Sequence, residues 1–159
     1  MAEQHRIHVY EKAFLAVSVA MLLLFAGALV YATTMRGMTL PGEGGRIDPK
    51  QIYHTPPFER PGVYKTGPNR YTVVMIAMAW TYLPSEIRVP AGAEVSFVVS
   101  SADVIHGFEI PGTRVNMMVI PGQISRLTHT FSTKGELHLV CHEYCGAGHQ
   151  TMNARVVVE

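Results

Sequence analysis

Glu136-Leu137-His138-Leu139-Val140-Cys141-His142-Glu143-Tyr144-Cys145-Gly146-Ala147-Gly148-His149-Gln150-Thr151-Met152-Asn153-Ala154-Arg155-Val156-Val157-Val158 carries both the architecture and the chemistry of this chain. Its flanks, Glu136 to Val140 and Arg155 to Val158, have the short, apolar, β-branched character of strands. The dozen residues from Cys141 to Met152 are then a loop held at both ends, and a loop on a rigid β scaffold can fix donor geometry. Gly146-Ala147-Gly148 lets the backbone fold tightly between Cys145 and His149.

Upstream, the strand pattern recurs. Tyr71 to Trp80 is apolar and β-branched at its start. Val95, Phe97 and Val99 alternate after a turn at Pro90-Ala91-Gly92. Val115 to Ile120 leads into Pro121-Gly122, and Ser125 to Phe131 precedes a turn near Lys134-Gly135. About six short strands at intervals of roughly ten residues, with Gly and Pro between them, predict an antiparallel sandwich or barrel. No helical period and no internal repeat follows residue 36. Gly37 to Gly67, with Pro41-Gly42, Gly44-Gly45, Pro49, Pro56-Pro57 and Pro61-Gly62, reads as a tether running over a surface with little regular structure.

Before the tether, Phe14 to Met35 is a run of 22 residues without a charge. At 1.5 Å per residue it spans about 33 Å, enough for a bilayer core of about 30 Å. A cleaved signal peptide would have a shorter apolar core and a small-residue cleavage site, which Ala28-Leu29-Val30-Tyr31-Ala32 matches poorly. A retained anchor is therefore expected. Arg6 and Lys12 before it and Arg36 and Arg46 after it do not orient it. The remaining residues, 36–159, carry 11 Lys+Arg and 10 Asp+Glu, a net charge of +1. With no basic stripe, nucleic acid is not an expected partner, and long-range steering of a charged partner should be weak.

Cys141 and Cys145 are the only two cysteines. Thiolate and thioether donors beside imidazole favour copper, because Mg and Ca want oxygen and Zn rarely takes Met. His106, in Ile105-His106-Gly107-Phe108, would add a second imidazole once the chain folds. Two Cys, two His and one Met exceed the needs of one metal ion, which points to two ions sharing sulfurs. Three duller readings leave residues unused. A Cys141–Cys145 disulfide closes a tiny loop and gives His149 and Met152 no part. A structural zinc site lacks its second Cys pair. A mononuclear His2Cys copper site makes Cys145 superfluous.

Cys141-x-Glu143-x-Cys145-x3-His149-x2-Met152, preceded by Val104-Ile105-His106-Gly107, resembles the dinuclear copper A site of subunit II of haem–copper oxidases. The resemblance runs from about Tyr71 to the C-terminus and, more loosely, to the anchor. A single span and a short chain look like the ba3-type (B-family) subunit. The resemblance implies a mainly β, cupredoxin-like Greek-key barrel with one N-terminal transmembrane helix. It implies residues 1–36 as N-terminal segment and helix, 37–69 as linker and 70–159 as the copper A domain. Cys141 and Cys145 would bridge two coppers, with His106 and His149 on one copper each. Met152 would be a weak ligand and Glu143 a carbonyl donor. In A-type relatives the side chain at the Glu143 position also reaches a Mg ion, whereas B-type relatives often have Gln there.

By the same resemblance, Trp80 and Tyr82 correspond to an aromatic patch that receives electrons from cytochrome c. Glu11 corresponds to an acidic residue at a proton-uptake mouth, which would put the N-terminus in a prokaryotic cytoplasm and the copper domain on the outer, periplasmic side of the cell membrane. Asp103 could orient a ligand histidine, and His142 should point away from the site. Implied partners are the catalytic subunit I, the membrane and a donor, either cytochrome c or a small copper protein docking mostly through apolar contacts. The oxygen chemistry would belong to subunit I. The motif also suits a copper A nitric oxide reductase subunit. From another class, a thioredoxin-like copper chaperone would need a helix after the cysteines, where a strand is expected here.

Overall fold

The computed structural model describes residues 2–36 and 44–159; the Pro41-Gly42 turn expected in the tether lies outside them. Residues 1–38 and 39–159 form two separate units. The first holds one α-helix, α1 (Ala2–Arg36). It starts earlier than the uncharged run because Glu3, Gln4, Glu11 and Lys12 are good helix formers. Its stretch His8–Met35 is long and apolar enough to cross a membrane by length and composition.

Among the described residues, the second unit contains ten strands in two facing sheets. They are β1 (Gly62–Gly67), β2 (Arg70–Met78), β3 (Thr81–Leu83), β4 (Glu86–Val89), β5 (Glu94–Ser101), β6 (His106–Glu109), β7 (Asn116–Val119), β8 (Ser125–Thr130), β9 (Gly135–Val140) and β10 (Asn153–Val158). The first sheet is ordered β1-β2-β5-β8, with β3 also on β2; the second is β4-β10-β9-β6-β7. This is the expected mainly β, cupredoxin-like architecture. It is not wholly antiparallel: β2 pairs β5 in parallel and β4 pairs β10 in parallel. Parallel neighbours need a crossover. Here the chain leaves the first sheet after β3, lays down β4 in the second and returns as β5.

Side chains alternate across a strand, so Val73, Met75 and Ala77 of β2 and Val95, Phe97 and Val99 of β5 face the main core between the sheets. Val74, Ile76 and Val98 point the other way and are buried too, against Ile47, Ile52, Phe58 and Ile124. A run such as Val73–Ala77, apolar without alternation, marks a strand covered on both faces. The cover is the segment read as a surface tether. Asp48 caps a 3₁₀ helix, Pro49–His54, by accepting from the Lys50 N–H at 3.0 Å. Ile52 and Phe58 are fully buried. The Gly- and Pro-rich composition concealed three isolated apolar pins, and strand β1 lies inside the same stretch.

Candidate metal centre

Strands β9 and β10 pair antiparallel with Val140 opposite Asn153, and the Cys141 N–H donates to the Met152 carbonyl at 3.2 Å. The donor-rich loop is thus closed at its base. Gly146 takes φ +117, a left-handed conformation open to glycine, and the chain turns through a short 3₁₀ helix, His149–Thr151, into Met152. His106 opens β6, which lies beside β9 in the same sheet. Two neighbouring strands therefore bring the distant histidine to the loop.

The donor atoms converge. One atom each from His106, Cys141 and Cys145 lies within 4.8 Å of the others, and this is the one such group among the described residues. Cys141 Sγ is 3.7 Å from Cys145 Sγ, which in turn is 3.5 Å from His149 Nδ1 and 3.7 Å from Met152 Sδ. The Glu143 carbonyl oxygen is 3.2 Å from Cys141 Sγ. Both cysteines are free thiols, not a disulfide. The loop's other histidine, His142, is exposed.

His106 is 0% exposed, and its Nδ1 is a buried ring nitrogen with no hydrogen-bond partner. Its other nitrogen, Nε2, lies 2.8 Å from Asp103 Oδ1. A carboxylate on Nε2 fixes the tautomer with the proton there and leaves a lone pair on Nδ1 facing the sulfurs. An orphaned buried nitrogen costs free energy unless something fills the site, and a soft cation among two thiols, two imidazoles and a thioether fits it. Burial and the adjacent Cys141 push the Cys145 thiol up to about 11, so a cation loading here would displace protons.

Asp103 is itself held by its surroundings. Burial alone would raise its carboxyl; hydrogen bonds from His106 and from the Ala79 and Val104 N–H groups outweigh that and leave it lowered. Ser101 Oγ donates to the Val104 carbonyl and accepts from the Asp103 N–H, bracing the turn. No sequence pattern had singled out Ser101.

The aromatic pair separates. Trp80 is 42% exposed, and its Nε1–H donates to the Cys145 carbonyl at 3.1 Å. Tyr82 is 1% exposed and donates to the Gly107 carbonyl at 2.5 Å; burial lifts its phenol well above the usual tyrosine range. Tyr82 therefore does not lie on a docking surface, in contrast to the expectation for the pair. Trp80, in the turn between β2 and β3, and Tyr82, in β3, both reach toward the donor loop, and only the first meets solvent. Gly107 was also missed: a Cβ there would lie 2.5 Å from the His142 nitrogen and 2.8 Å from that of Glu143. Tyr144, 81% exposed, leans on the His149 ring at 5.8 Å. Glu11, on α1, pairs with His8 at 3.3 Å on an exposed face.

With this geometry in place, the likenesses to known proteins are informative. Residues 75–159 match the family model described as cytochrome c oxidase subunit II, periplasmic domain. The chain is 42% identical to a cytochrome c oxidase subunit 2 of Thermus thermophilus, over 100% of this chain and 99% of that protein. It resembles a chain in the cryo-EM structure of a haem–copper terminal oxidase dimer, with TM-score 0.74 and 32% identity, covering 94% of this chain and 99% of that one. It shares its fold with the periplasmic domain of cytochrome oxidase subunit II of Bradyrhizobium japonicum, with TM-score 0.52 and 23% identity over 55% of this chain and 83% of that one.

Proposed function

The chain belongs to the cytochrome c oxidase subunit II family, and from that premise we propose that it is the electron-receiving subunit of a haem–copper oxidase. In that complex, an oxidoreductase reducing O2 to water, it stands between a soluble donor and the catalytic subunit. The observation that carries this reading is the orphaned Nδ1 of buried His106 beside two free thiols.

Cys141 and Cys145 would hold two copper ions as shared thiolates. His106 and His149 would each offer Nδ1, Met152 its sulfur and Glu143 its backbone carbonyl. Copper held by these residues would supply one-electron redox chemistry. The residues supply rigidity: a closed loop base, the Asp103 brace on His106 and the Trp80 contact to Cys145. A magnesium ion at the Glu143 carboxylate would complete its shell with water and other oxygen donors, since no second group of three His, Cys, Asp or Glu donors occurs among the described residues.

Electrons would arrive at the exposed edge of Trp80. The apolar residues Val104, Ile105 and Tyr144, all exposed and within two residues of a donor in the chain, suit an apolar face on cytochrome c or a small copper protein. Helix α1 would anchor the subunit in a prokaryotic cell membrane beside subunit I. The copper domain would then be on the outer side and Glu11 near the inner surface, at a mouth for proton uptake. A chaperone of thioredoxin type is disfavoured, since β10 rather than an α-helix follows the cysteines.

The test is to load the purified full-length chain with copper in detergent and record metal content and the electron-spin resonance spectrum. Two coppers per chain with one electron split by both nuclei is expected, and Cys141→Ser or Cys145→Ser should abolish it. One copper per chain with a one-nucleus pattern would refute the reading.

A further inference from the structure

We propose that Tyr82 is a positioning residue for the copper donors: its buried hydroxyl pins the Gly107 carbonyl and thereby sets how His106 and the Gly107 N–H sit against Cys141. The inference begins with the need for glycine at 107. The donor loop approaches β6 so closely that a Cβ at this position would run into the backbone nitrogens of His142 and Glu143, at 2.5 and 2.8 Å. Any side chain there would push the loop away. Glycine, however, has the greatest backbone freedom of any residue, and this one adjoins His106 in the chain. The closest approach in the site is thus made at a glycine that sheet pairing holds opposite Met118 of β7.

Tyr82 adds a restraint to that pairing. It reaches across from β3 in the first sheet and donates to the Gly107 carbonyl at 2.5 Å. Its ring stands edge-on to Phe108, with centroids 5.8 Å apart and planes at 90°. On the other side of the same residue, the Gly107 N–H donates to Cys141 Sγ at 3.3 Å. The peptide units on either side of Gly107 are therefore both tied, one to a phenol and one to a sulfur. A donor on a ligating sulfur draws electron density from it and tunes the metal it binds. Without the hydroxyl, the Gly107 carbonyl loses its partner while β6 stays paired with β7, and the sulfur contact made by the same glycine is less firmly set. Burial removes Tyr82 from the docking surface and leaves its hydroxyl to the Gly107 carbonyl and the neighbouring Cys141 thiol.

The experiment is Tyr82→Phe in the full-length chain, which keeps the ring against Phe108 and removes one oxygen. In the metal-free protein, loss of one hydrogen bond should speed amide exchange at Gly107 about tenfold while leaving β5 amides such as Val98 unchanged. In the copper-loaded protein, the thiolate-to-copper charge-transfer bands and the midpoint potential should move with copper content unchanged. A folded variant with wild-type exchange at Gly107 and wild-type bands would overturn the proposal. Should Tyr82→Phe fail to fold, 3-fluorotyrosine placed at 82 keeps the shape and strengthens the donor. It should then slow Gly107 exchange and shift the bands, and no change in either would equally overturn the proposal. The copper readouts rest on the proposed function and the metal-free exchange does not. A wild-type chain unable to hold two coppers would sink that function while Gly107 exchange still decided the part played by Tyr82.

Discussion

Trp80 sits directly over Gly148: a Cβ added to that glycine would lie 2.5 Å from Cδ2 of the indole and 2.6 Å from Cε3. The same ring crowds Gly146 and donates to the Cys145 carbonyl. The half-exposed aromatic and the donor loop are therefore one packed unit.

Gly148→Ala should accordingly force either the indole or the loop to move. Overpacking of this kind costs about 1–3 kcal/mol. Trp80 is the sole tryptophan, so its fluorescence reports on this contact alone. A red-shifted emission with a lowered unfolding midpoint in the metal-free chain is expected. Unchanged emission would mean that the ring does not rest on the loop.

Asp103→Ala removes the acceptor from His106 Nε2 and frees the imidazole to change tautomer and tilt. Loss of such an outer partner typically weakens metal binding about 10–100-fold. Competition with a copper chelator measures this directly. Asp103→Asn, which retains an acceptor, should fall between the variant and the wild type.

Phe58→Ala tests whether the segment before β1 belongs to the folded domain. Phe58 is fully buried against Ile52, Val74 and Ile76 on the outer face of the first sheet. Deleting a buried phenyl ring costs about 3–5 kcal/mol. Thermal unfolding should register it, whereas truncating a surface tether would leave the midpoint in place.

Burial, helped by the nearby Arg114 charge, holds the His129 imidazole below its ordinary value. Between its folded value and about 6.5, the unfolded chain binds a proton that the folded chain does not. Stability should therefore decline as pH falls through that window and be fully present above about 6.5. The effect is small because much of the ring meets solvent. His129→Gln should flatten it in metal-free thermal scans, and the ring resonances should titrate below the ordinary histidine value.

What the sequence made legible follows from range. Strands β2, β5, β7, β8, β9 and β10 were readable because each is long enough, or sharply enough bounded by Gly and Pro, to display its pattern. Strands β3, β4 and β6 have three or four residues each, too few for a period to emerge. The donor loop was readable since its spacing is local. The proximity of His106 to it depends on β6 lying beside β9, a pairing that no local pattern displays. The burial of Tyr82 depends on one sheet lying over the other, and nothing within Trp80-Thr81-Tyr82 distinguishes the exposed ring from the enclosed one. The pinned segment from Ile47 to Phe58 was misjudged because three isolated apolar residues have no period.

Strand β10 lies between β4 and β9, although roughly sixty residues separate it from β4, a long loop to close. Non-local parallel pairing of this sort forms slowly. Until it forms, the sheet beneath Cys141 and Cys145 is incomplete and both sulfurs remain open to oxidants. The topology thus sets an interval during biogenesis in which the thiols can be damaged or captured. In refolding metal-free protein, alkylation of the two thiols should cease in step with protection of the β10 amides; thiols shielded well before that strand docks would show that the interval does not exist.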